Sequence, residues 1–223
     1  LGAAGMVGKA RRFAAGTGIT CGESITNFPT GTAAHSTEAW FRAYAVNADI
    51  VDWGVEGGAN KVQIKLVSPP RIHVEGNFAN VDGVSALALG QWYHVVHTYA
   101  NGSSHVYVNG QPDGTNSVTL TMANPARMWI GGWYNNYSFV GEIDEARVSK
   151  VARSANWIEM EYENQKPLQT LVGNLVQPGT NFSVVPAQVT MNEGTSTTLI
   201  AEAGGAQKVY WISKRGGQET VLA

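Results

Sequence analysis

The chain has 223 residues, more than one small domain usually needs and few for two full-sized domains. Charged residues make up 14% of the chain, against about 25% in average soluble proteins. Glycine accounts for 26 of the 223 residues, or about 12%, against a usual content of about 7%. Low charge with high glycine argues against a helix bundle or coiled coil. The apolar content of 43% excludes a disordered chain, and a net charge of −2 provides no basic field for nucleic acid or an anionic membrane. The single cysteine, Cys21, excludes an internal disulfide. The sequence contains no apolar run of about 18 residues, the length that a membrane-spanning helix needs.

Alternating polar and apolar residues predict a series of short strands. In residues 60–67, valine, isoleucine and leucine alternate with lysine and glutamine, the period-two pattern of a strand with one buried face. Asn-Gly dipeptides at 101–102 and 109–110 predict tight turns, because both positions tolerate positive φ. The predicted strands cover residues 36–44, 60–67, 71–75, 92–99, 105–108, 118–122, 127–131 and 139–148. Strands at this spacing predict an all-β sandwich or barrel.

The last third of the chain has a different pattern. Ser154 predicts the N-cap of one helix that ends before Pro167 and packs on the edge of the sandwich. Residues 177–181 are linker-like, and three short strands are predicted at 183–191, 195–203 and 208–214. An immunoglobulin-like domain needs about 100 residues, so we predict a sandwich over 1–172 and a linker with part of such a domain over 173–223. Because the chain opens without Met, we expect it to be part of a longer protein.

Several ordered motifs carry a family resemblance. They are residues 8–13 (GKARRF), 36–41 (STEAWF), 90–96 (GQWYHVV), 106–110 (VYVNG), 129–132 (WIGG), 141–148 (GEIDEARV) and 152–158 (ARSANWI). Residues 8–173 thereby resemble the bacterial laminin-G-like, concanavalin A-like sandwich modules of large surface or secreted proteins. The resemblance implies a jelly-roll sandwich of two antiparallel sheets, an extracellular or cell-surface location and, in many members, one structural calcium. Only seven residues precede the first motif, so we expect part of that calcium ligand set to be missing.

The loop after the WIGG motif has the composition of a carbohydrate site. Aromatic rings stack on the apolar faces of sugars, and amides satisfy sugar hydroxyls as donor and acceptor together. The alternative is that Trp133 and Phe139 fold onto the core and leave an ordinary turn. The candidate ligand-binding residues of this loop are Trp133, Tyr134, Asn135, Asn136 and Tyr137.

Other candidates lie outside this loop. Arg71 and His73 are the best polar pair for a concave sheet face, and Trp53 stands in an acidic, loop-edged run. Asp49 and Asp52 could supply oxygen ligands for calcium, although no EF-hand spacing is present. The alternative for this run is a solvated strand end with Trp53 in the core. Asp144, in the family motif, is a further weak metal candidate.

The motif GEIDEARV also bears on catalysis. Glu142 and Asp144 share a strand face, as the two carboxylates of a retaining glycosidase must, but Glu145 points to the opposite face and the third carboxylate is missing. We therefore predict a non-catalytic module that binds polysaccharide or glycan. We predict neither nucleic acid as a partner nor a membrane-spanning segment. The alternative is a structural or adhesive module that contacts other protein domains of the same chain, and a glycoside hydrolase ranks third.

Overall fold

A computed structural model of the chain describes residues 2–134, 136–166, 182–186, 188–192, 195–203, 212–215 and 218–221. The chain divides into two compact units, Leu1–Tyr162 and Glu163–Ala223. The predicted domain boundary between residues 172 and 173 lies outside the described residues and stays a prediction.

The first unit is a sandwich of two antiparallel sheets, which confirms the predicted fold class. The seven-stranded sheet contains, in spatial order, β1 (Gly2–Ala4), β2 (Lys9–Phe13), β13 (Gly141–Ser149), β4 (His35–Ala43), β9 (Trp92–Ala100), β10 (Ser103–Val108) and β11 (Gln111–Ser117). The six-stranded sheet contains β3 (Ile19–Ile25), β12 (Ala126–Ile130), β5 (Ala48–Gly54), β6 (Lys61–Val67), β7 (Arg71–Glu75) and β8 (Val81–Asp82).

The hydrophobic core lies between these two sheets. Phe41 and Val95 of the seven-stranded sheet and Val51, Trp53 and Ile64 of the six-stranded sheet are at most 1% exposed. Because side chains alternate along a strand, the neighbours of these core residues point to the outer face of each sheet. Each sheet therefore has one outer face, and the two outer faces lie on opposite sides of the sandwich.

Most predicted strands are present within a residue or two, but two predictions are wrong, and the sequence does not predict β3. Residues 118–122 form no strand. The edge strand of the seven-stranded sheet, next to β10, is instead β11, which contains Pro112 and Gly114. Such residues weaken a strand pattern but are tolerated at a sheet edge. Residues 48–54 form the central strand β5 rather than a solvated strand end, and β3 has no clear alternating pattern. Both Asn-Gly turns are confirmed, with positive φ at Asn101 and Asn109.

The helix α1 (Ala155–Gln165) begins where the sequence predicts it. The Ser154 hydroxyl accepts a hydrogen bond from the Trp157 backbone N–H at 3.2 Å. Ile158 packs on Val96 and Tyr107 of the seven-stranded sheet, so the helix covers its outer face rather than the predicted sandwich edge. Within the described residues, no helix is long and apolar enough to cross a membrane.

The second unit is described only in short segments. Strands β14 (Phe182–Val185) and β15 (Ile200–Ala203) pair antiparallel, as do β16 (Ile212–Arg215) and β17 (Gln218–Val221). Strand structure is therefore present in each of the three regions predicted to contain it. The immunoglobulin-like arrangement stays a prediction.

Candidate functional site

The outer face of the six-stranded sheet carries a dense set of polar side chains. Strand β6 turns Val62, Ile64 and Leu66 toward the core, so Lys61 and Lys65 point outward. Cross-strand pairing aligns Lys65 with Asp49 on one side and with His73 on the other. These residues could hydrogen-bond a ligand from a rigid sheet, which holds side chains more firmly than a loop does.

Part of this face is covered by residues 131–134 and 136–138, here called the aromatic loop. The loop follows β12 and hydrogen-bonds back onto β5: the Gly131 N–H donates to the Ile50 carbonyl at 3.0 Å, and the Asp49 N–H donates to the Tyr137 carbonyl at 2.9 Å. Trp133 and Asn136 exchange two backbone hydrogen bonds of 2.9 and 2.8 Å, which close a tight turn at its tip. These bonds fix the loop against the sheet.

Gly131 is required where the aromatic loop leaves β12. Its φ of +76° lies in the left-handed region, and a Cβ at this position would lie 2.5 Å from the Phe13 ring. Only glycine satisfies both conditions without displacing the core. The WIGG motif thus has a physical role in directing the loop across the outer face.

The rings of the aromatic loop lie over cationic side chains of the sheet. The Lys65 ammonium is 4.8 Å from the Tyr137 ring centroid, and the Lys61 ammonium is 5.9 Å from that of Trp133. The Arg127 guanidinium is 5.2 Å from the Tyr134 ring centroid. Such cation–π contacts contribute about 0.5–1 kcal/mol each at exposed sites and more when desolvated, so they help to hold the loop in place.

A buried acid pair lies beside the loop and the sheet. Asp49 and Asp52 are both fully buried, and the Gln63 side-chain amide donates a hydrogen bond of 2.6 Å to Asp49. Burial raises the pKa of Asp49 to about 7, against the opposing effect of Lys65. Burial and the neighbouring Asp49 charge together raise the pKa of Asp52 well above its usual range. The pair therefore shares at least one proton at neutral pH.

Beyond the aromatic loop, the face is open to solvent. We call this open part, with the exposed ring beside it, the outer-face site; it comprises Lys65, Arg71, His73, Glu75, Asp82 and Tyr137. The Tyr137 side chain is 59% exposed. Next to it, Lys65 pairs with Glu75, and His73 Nδ1 lies 2.9 Å from Asp82 Oδ1. The site thus combines one exposed aromatic ring with a row of hydrogen-bonding groups.

The structure separates the predicted residues of the aromatic loop. Tyr137 and Asn136 are exposed, Tyr134 is half-buried, and Trp133 is only 4% exposed because it folds onto the sheet. Trp133 therefore contradicts the prediction that it contacts a ligand directly, although its partner is the outer face rather than the core. Phe139, in contrast, is fully buried in the core. Asn135 lies outside the described residues.

Arg71 and His73 lie together on the outer face of β7, and their part in ligand binding stays a prediction. Trp53 contradicts its assignment to ligand binding, because it is fully buried and donates a hydrogen bond of 2.8 Å to Thr37. Sequence reasoning did not select Lys65, Glu75 or Asp82. The alternation in residues 60–67 could have identified Lys65, but Glu75 and Asp82 join it only through strand pairing.

The three candidate calcium ligands do not form one site. Asp144 lies on the seven-stranded sheet, where its two oxygens accept 3.0 Å hydrogen bonds from the backbone N–H groups of Val7 and Glu145. Asp49 and Asp52 lie on the other sheet and share a proton. Calcium requires six to eight oxygen ligands, and in the described part of the chain no three His, Cys, Asp or Glu side chains are placed to hold a metal ion. These residues therefore do not fit the calcium that the resemblance implies.

Glu142 is engaged in structural contacts on the seven-stranded sheet. Its Oε1 is 2.7 Å from Arg12 Nη2, its Oε2 is 3.0 Å from Arg42 Nε, and its side chain is fully buried. These hydrogen bonds lower the pKa of Glu142 despite its burial, so the group stays ionised. A proton donor in glycoside hydrolysis needs a raised pKa instead. Glu145 has a positive φ and forms a bulge in β13 beside Asp144.

Comparison with known proteins agrees with this architecture. A profile described as the concanavalin A-like lectin/glucanases superfamily (Laminin_G_3) matches residues 14–159. No curated protein sequence is a significant match for the chain.

Several solved structures are similar in fold. Domain 4 of AbnA, a GH43 extracellular arabinanase from Geobacillus stearothermophilus in complex with arabinotriose, is 24% identical, with a TM-score of 0.55 over 71% of this chain and 79% of that one. The Ruminococcus gnavus IT-sialidase CBM40 bound to α2,3-sialyllactose is 14% identical, with a TM-score of 0.53 over 68% and 95%. The binding domain of Paraclostridial Mosquitocidal Protein 1 is 12% identical, with a TM-score of 0.58 over 82% and 51%. At these identities the likeness concerns the fold alone.

Proposed function

Because the chain belongs to the concanavalin A-like lectin/glucanases superfamily, we propose that its sandwich is a non-catalytic carbohydrate-binding module of a larger extracellular bacterial protein. The outer-face site binds polysaccharide or glycan. The observation that carries this proposal is the exposed Tyr137 ring beside the polar row of Lys65, His73 and Asp82.

The chemistry of the outer-face site suits a sugar. The Tyr137 ring offers an apolar surface for the C–H face of a pyranose or furanose ring. Glu75 and Asp82 accept hydrogen bonds from hydroxyl groups, while Lys65 and Arg71 donate them. Since these groups are already oriented by ion pairs with each other, binding a sugar orders few further side chains.

The charge of the outer face favours an uncharged glycan. Lys61 and Lys65 both pair with Glu75, the first at 3.1 Å, and Lys61 also pairs with Glu56 at 3.1 Å. Arg71 lies 3.9 Å from Asp82. Each of these cations has an acidic partner, so the surface presents no excess positive charge to a uronate or sulfate group.

The structural relatives support the ligand class without identifying the ligand. The arabinanase domain was solved with arabinotriose and the sialidase module with sialyllactose, two sugars that differ in ring size and charge. Relatives of this fold therefore bind chemically different sugars, and the residues on the outer face must decide which one this chain takes. The proposed recognition uses only side chains of the chain itself.

The contacts of Glu142, Asp144, Asp49 and Asp52 support a binding mechanism without covalent chemistry. Glu142 is ionised and clamped by two guanidinium groups, and Asp144 holds backbone N–H groups. Neither carboxyl is available to protonate a leaving group or to attack a sugar carbon. Asp49 and Asp52 are fully buried, so a glycosidic bond has no access to them.

Retention of the protein in native gels that contain soluble polysaccharide tests the proposal. We expect retention by at least one neutral polymer among arabinan, xylan, β-glucan and galactan, and less by polygalacturonate or alginate. Replacing Tyr137 by alanine should weaken binding about tenfold, since an aromatic contact contributes about 0.5–1.5 kcal/mol in addition to its buried area.

Tyr44 provides a matched control, because it is 46% exposed but directly follows β4 of the other sheet. The variant Tyr44→Ala should bind as the wild type does. Equal losses in the two variants, or no retention by any of these glycans, would contradict the proposed function.

A structural or adhesive module is the second candidate. The observation that favours it is the second compact unit, which contains paired strands of its own and fits a chain of several domains. This candidate predicts that the Tyr137 variant changes no glycan interaction and that a protein domain, not a polysaccharide, retains the sandwich.

A further inference from the structure

Phe78 is the most unusual exposed residue of the sandwich. Its side chain is 97% exposed, and its φ is +77°, next to Asn77 with a φ of +48°. A bulky residue in the left-handed region is a genuine outlier, because its side chain crowds the backbone there. Neither packing nor backbone preference explains an aromatic side chain here, which points to a role outside folding.

The turn that carries Phe78 is held firmly. It connects β7 to β8, and the Gly76 N–H donates to the Asn80 side-chain oxygen at 2.9 Å. The Ala59 N–H donates to the Asn77 carbonyl at 3.0 Å, and the Asn80 carbonyl accepts a 2.7 Å hydrogen bond from Asn116. A chain of bonds on both sides of the tip thus fixes the position of the aromatic residue, which reduces the entropy lost when a ligand stacks on it.

The turn is joined to the outer face through a chain of polar contacts. The Asn77 side-chain amide donates a 3.2 Å hydrogen bond to Glu56, which in turn pairs with Lys61 at 3.1 Å. The Lys61 ammonium lies below the ring of Trp133 in the aromatic loop. The turn that carries Phe78 therefore lies at the Lys61 end of β6, whereas Tyr137 lies over Lys65.

The spacing of these two ends decides what kind of ligand could reach both aromatic rings. Lys61 and Lys65 are four residues apart on one strand, which corresponds to about 13 Å. A single sugar ring is too small to contact Tyr137 and the turn beyond Lys61 at once. A chain of several sugar units that runs along the outer face can contact both.

We propose that Phe78 is a second stacking platform, and that the module takes an extended neutral glycan chain rather than a terminal mono- or disaccharide. This inference rests on the proposed function and adds the length of the ligand and one specificity-determining residue. The sugar units near Tyr137 bind in the outer-face site, and a unit further along the same chain stacks on Phe78.

The experiment compares ligand lengths. The polymer is the one among arabinan, xylan, β-glucan and galactan that retains the protein in the gels. Wild-type protein and variants are titrated calorimetrically with this polymer, with its disaccharide and with its hexasaccharide. The variant Phe78→Ala should bind the polymer and the hexasaccharide about tenfold more weakly and the disaccharide as the wild type does. Phe78→Trp should retain tight binding.

Val84→Ala is the matched control, because Val84 is an apolar residue that is 83% exposed and it should leave binding unchanged. A backbone control is Phe78→Gly, which should raise the melting temperature, because glycine adopts the positive φ freely, while it weakens binding of the hexasaccharide.

The outcomes separate the two proposals. If the wild type binds a glycan and Phe78→Ala binds the hexasaccharide equally well, or loses the disaccharide to the same extent, the inference about Phe78 is overturned and the proposed function stands. If the wild type binds none of the four polymers, both are overturned.

Discussion

Replacing Asp49 by asparagine should remove a pH-dependent loss of stability that the fold imposes. Asp49 is buried beside the aromatic loop with a pKa of about 7, against 3.8 for a free aspartate side chain. Between these two pH values the unfolded chain has released the proton and the folded chain has kept it. The unfolded state binds fewer protons, so the contribution of this group to stability falls as pH rises from about 4 to about 7.

The size of the effect follows from the two pKa values. A difference from about 4 to about 7, at about 1.4 kcal/mol for each pH unit, amounts to about 4 kcal/mol. Above pH 7 both states are ionised and the difference stays constant. Asparagine has the same shape and can accept the hydrogen bond from Gln63, so the variant keeps the packing without the titrating proton. Loss of the Asp49 charge also lowers the pKa of Asp52, which acts in the same direction.

The assay is urea denaturation of both proteins at several pH values between about 4 and about 8. The measured quantity is the free energy of unfolding of Asp49→Asn minus that of the wild type, because titrating groups far from Asp49 and its neighbour Asp52 cancel in this difference. It should rise by about 1.4 kcal/mol per pH unit up to pH 7 and then level off. A difference that stays constant, or that falls with pH, would refute the reasoning that burial keeps this carboxyl protonated.

Three further predictions concern other parts of the sandwich. His35 is buried with a pKa of about 4, against 6.5 for a free side chain. Its contribution to stability therefore rises as the pH rises from about 4 to 6.5. The free energy of unfolding of His35→Gln, minus that of the wild type, should fall by about 3 kcal/mol over this range. A rising difference in the same urea series would contradict this. Glu142→Gln should lower the free energy of unfolding by about 1–3 kcal/mol, because Arg12 and Arg42 lose the negative charge with which both of them pair. Glycan retention in gels should stay unchanged. Lost retention without lost stability would instead indicate a functional carboxyl. Gly131→Ala should destabilise the protein by more than about 1 kcal/mol and expose the aromatic loop to protease, whereas Gly16→Ala, at a positive φ with open space around it, should be milder.

The strand pattern and the family motifs were readable from the sequence for a local reason. Alternation in residues 60–67 reflects a strand with one buried face, and the Asn-Gly pairs at 101–102 and 109–110 reflect turns that need positive φ. Both are short-range constraints, so they survive without knowledge of the partners. Strand β11 could not be predicted from the sequence, because it contains a proline and a glycine and its backbone is held by pairing with β10.

The candidate site was only partly predictable. The exposure of Tyr137 and the shared face of Arg71 and His73 agree with the sequence reasoning, but Trp53 and Trp133 turned out to be buried. Composition identifies aromatic residues that could stack on a sugar, yet it does not tell which face each ring takes. That choice depends on whether a second layer of chain covers the residue.

By itself, the sequence determined the sandwich, most of its strands, its helix and the turns that need glycine or asparagine, because each depends on residues close together in the chain. Only the tertiary structure decided which polar residues meet. Lys65, His73 and Asp82 come from three strands and align through backbone pairing, and Tyr137 reaches them because Gly131 directs the loop across the sheet. The length and the low charge of the chain are compatible with many such arrangements, and the register of the six-stranded sheet selects one of them.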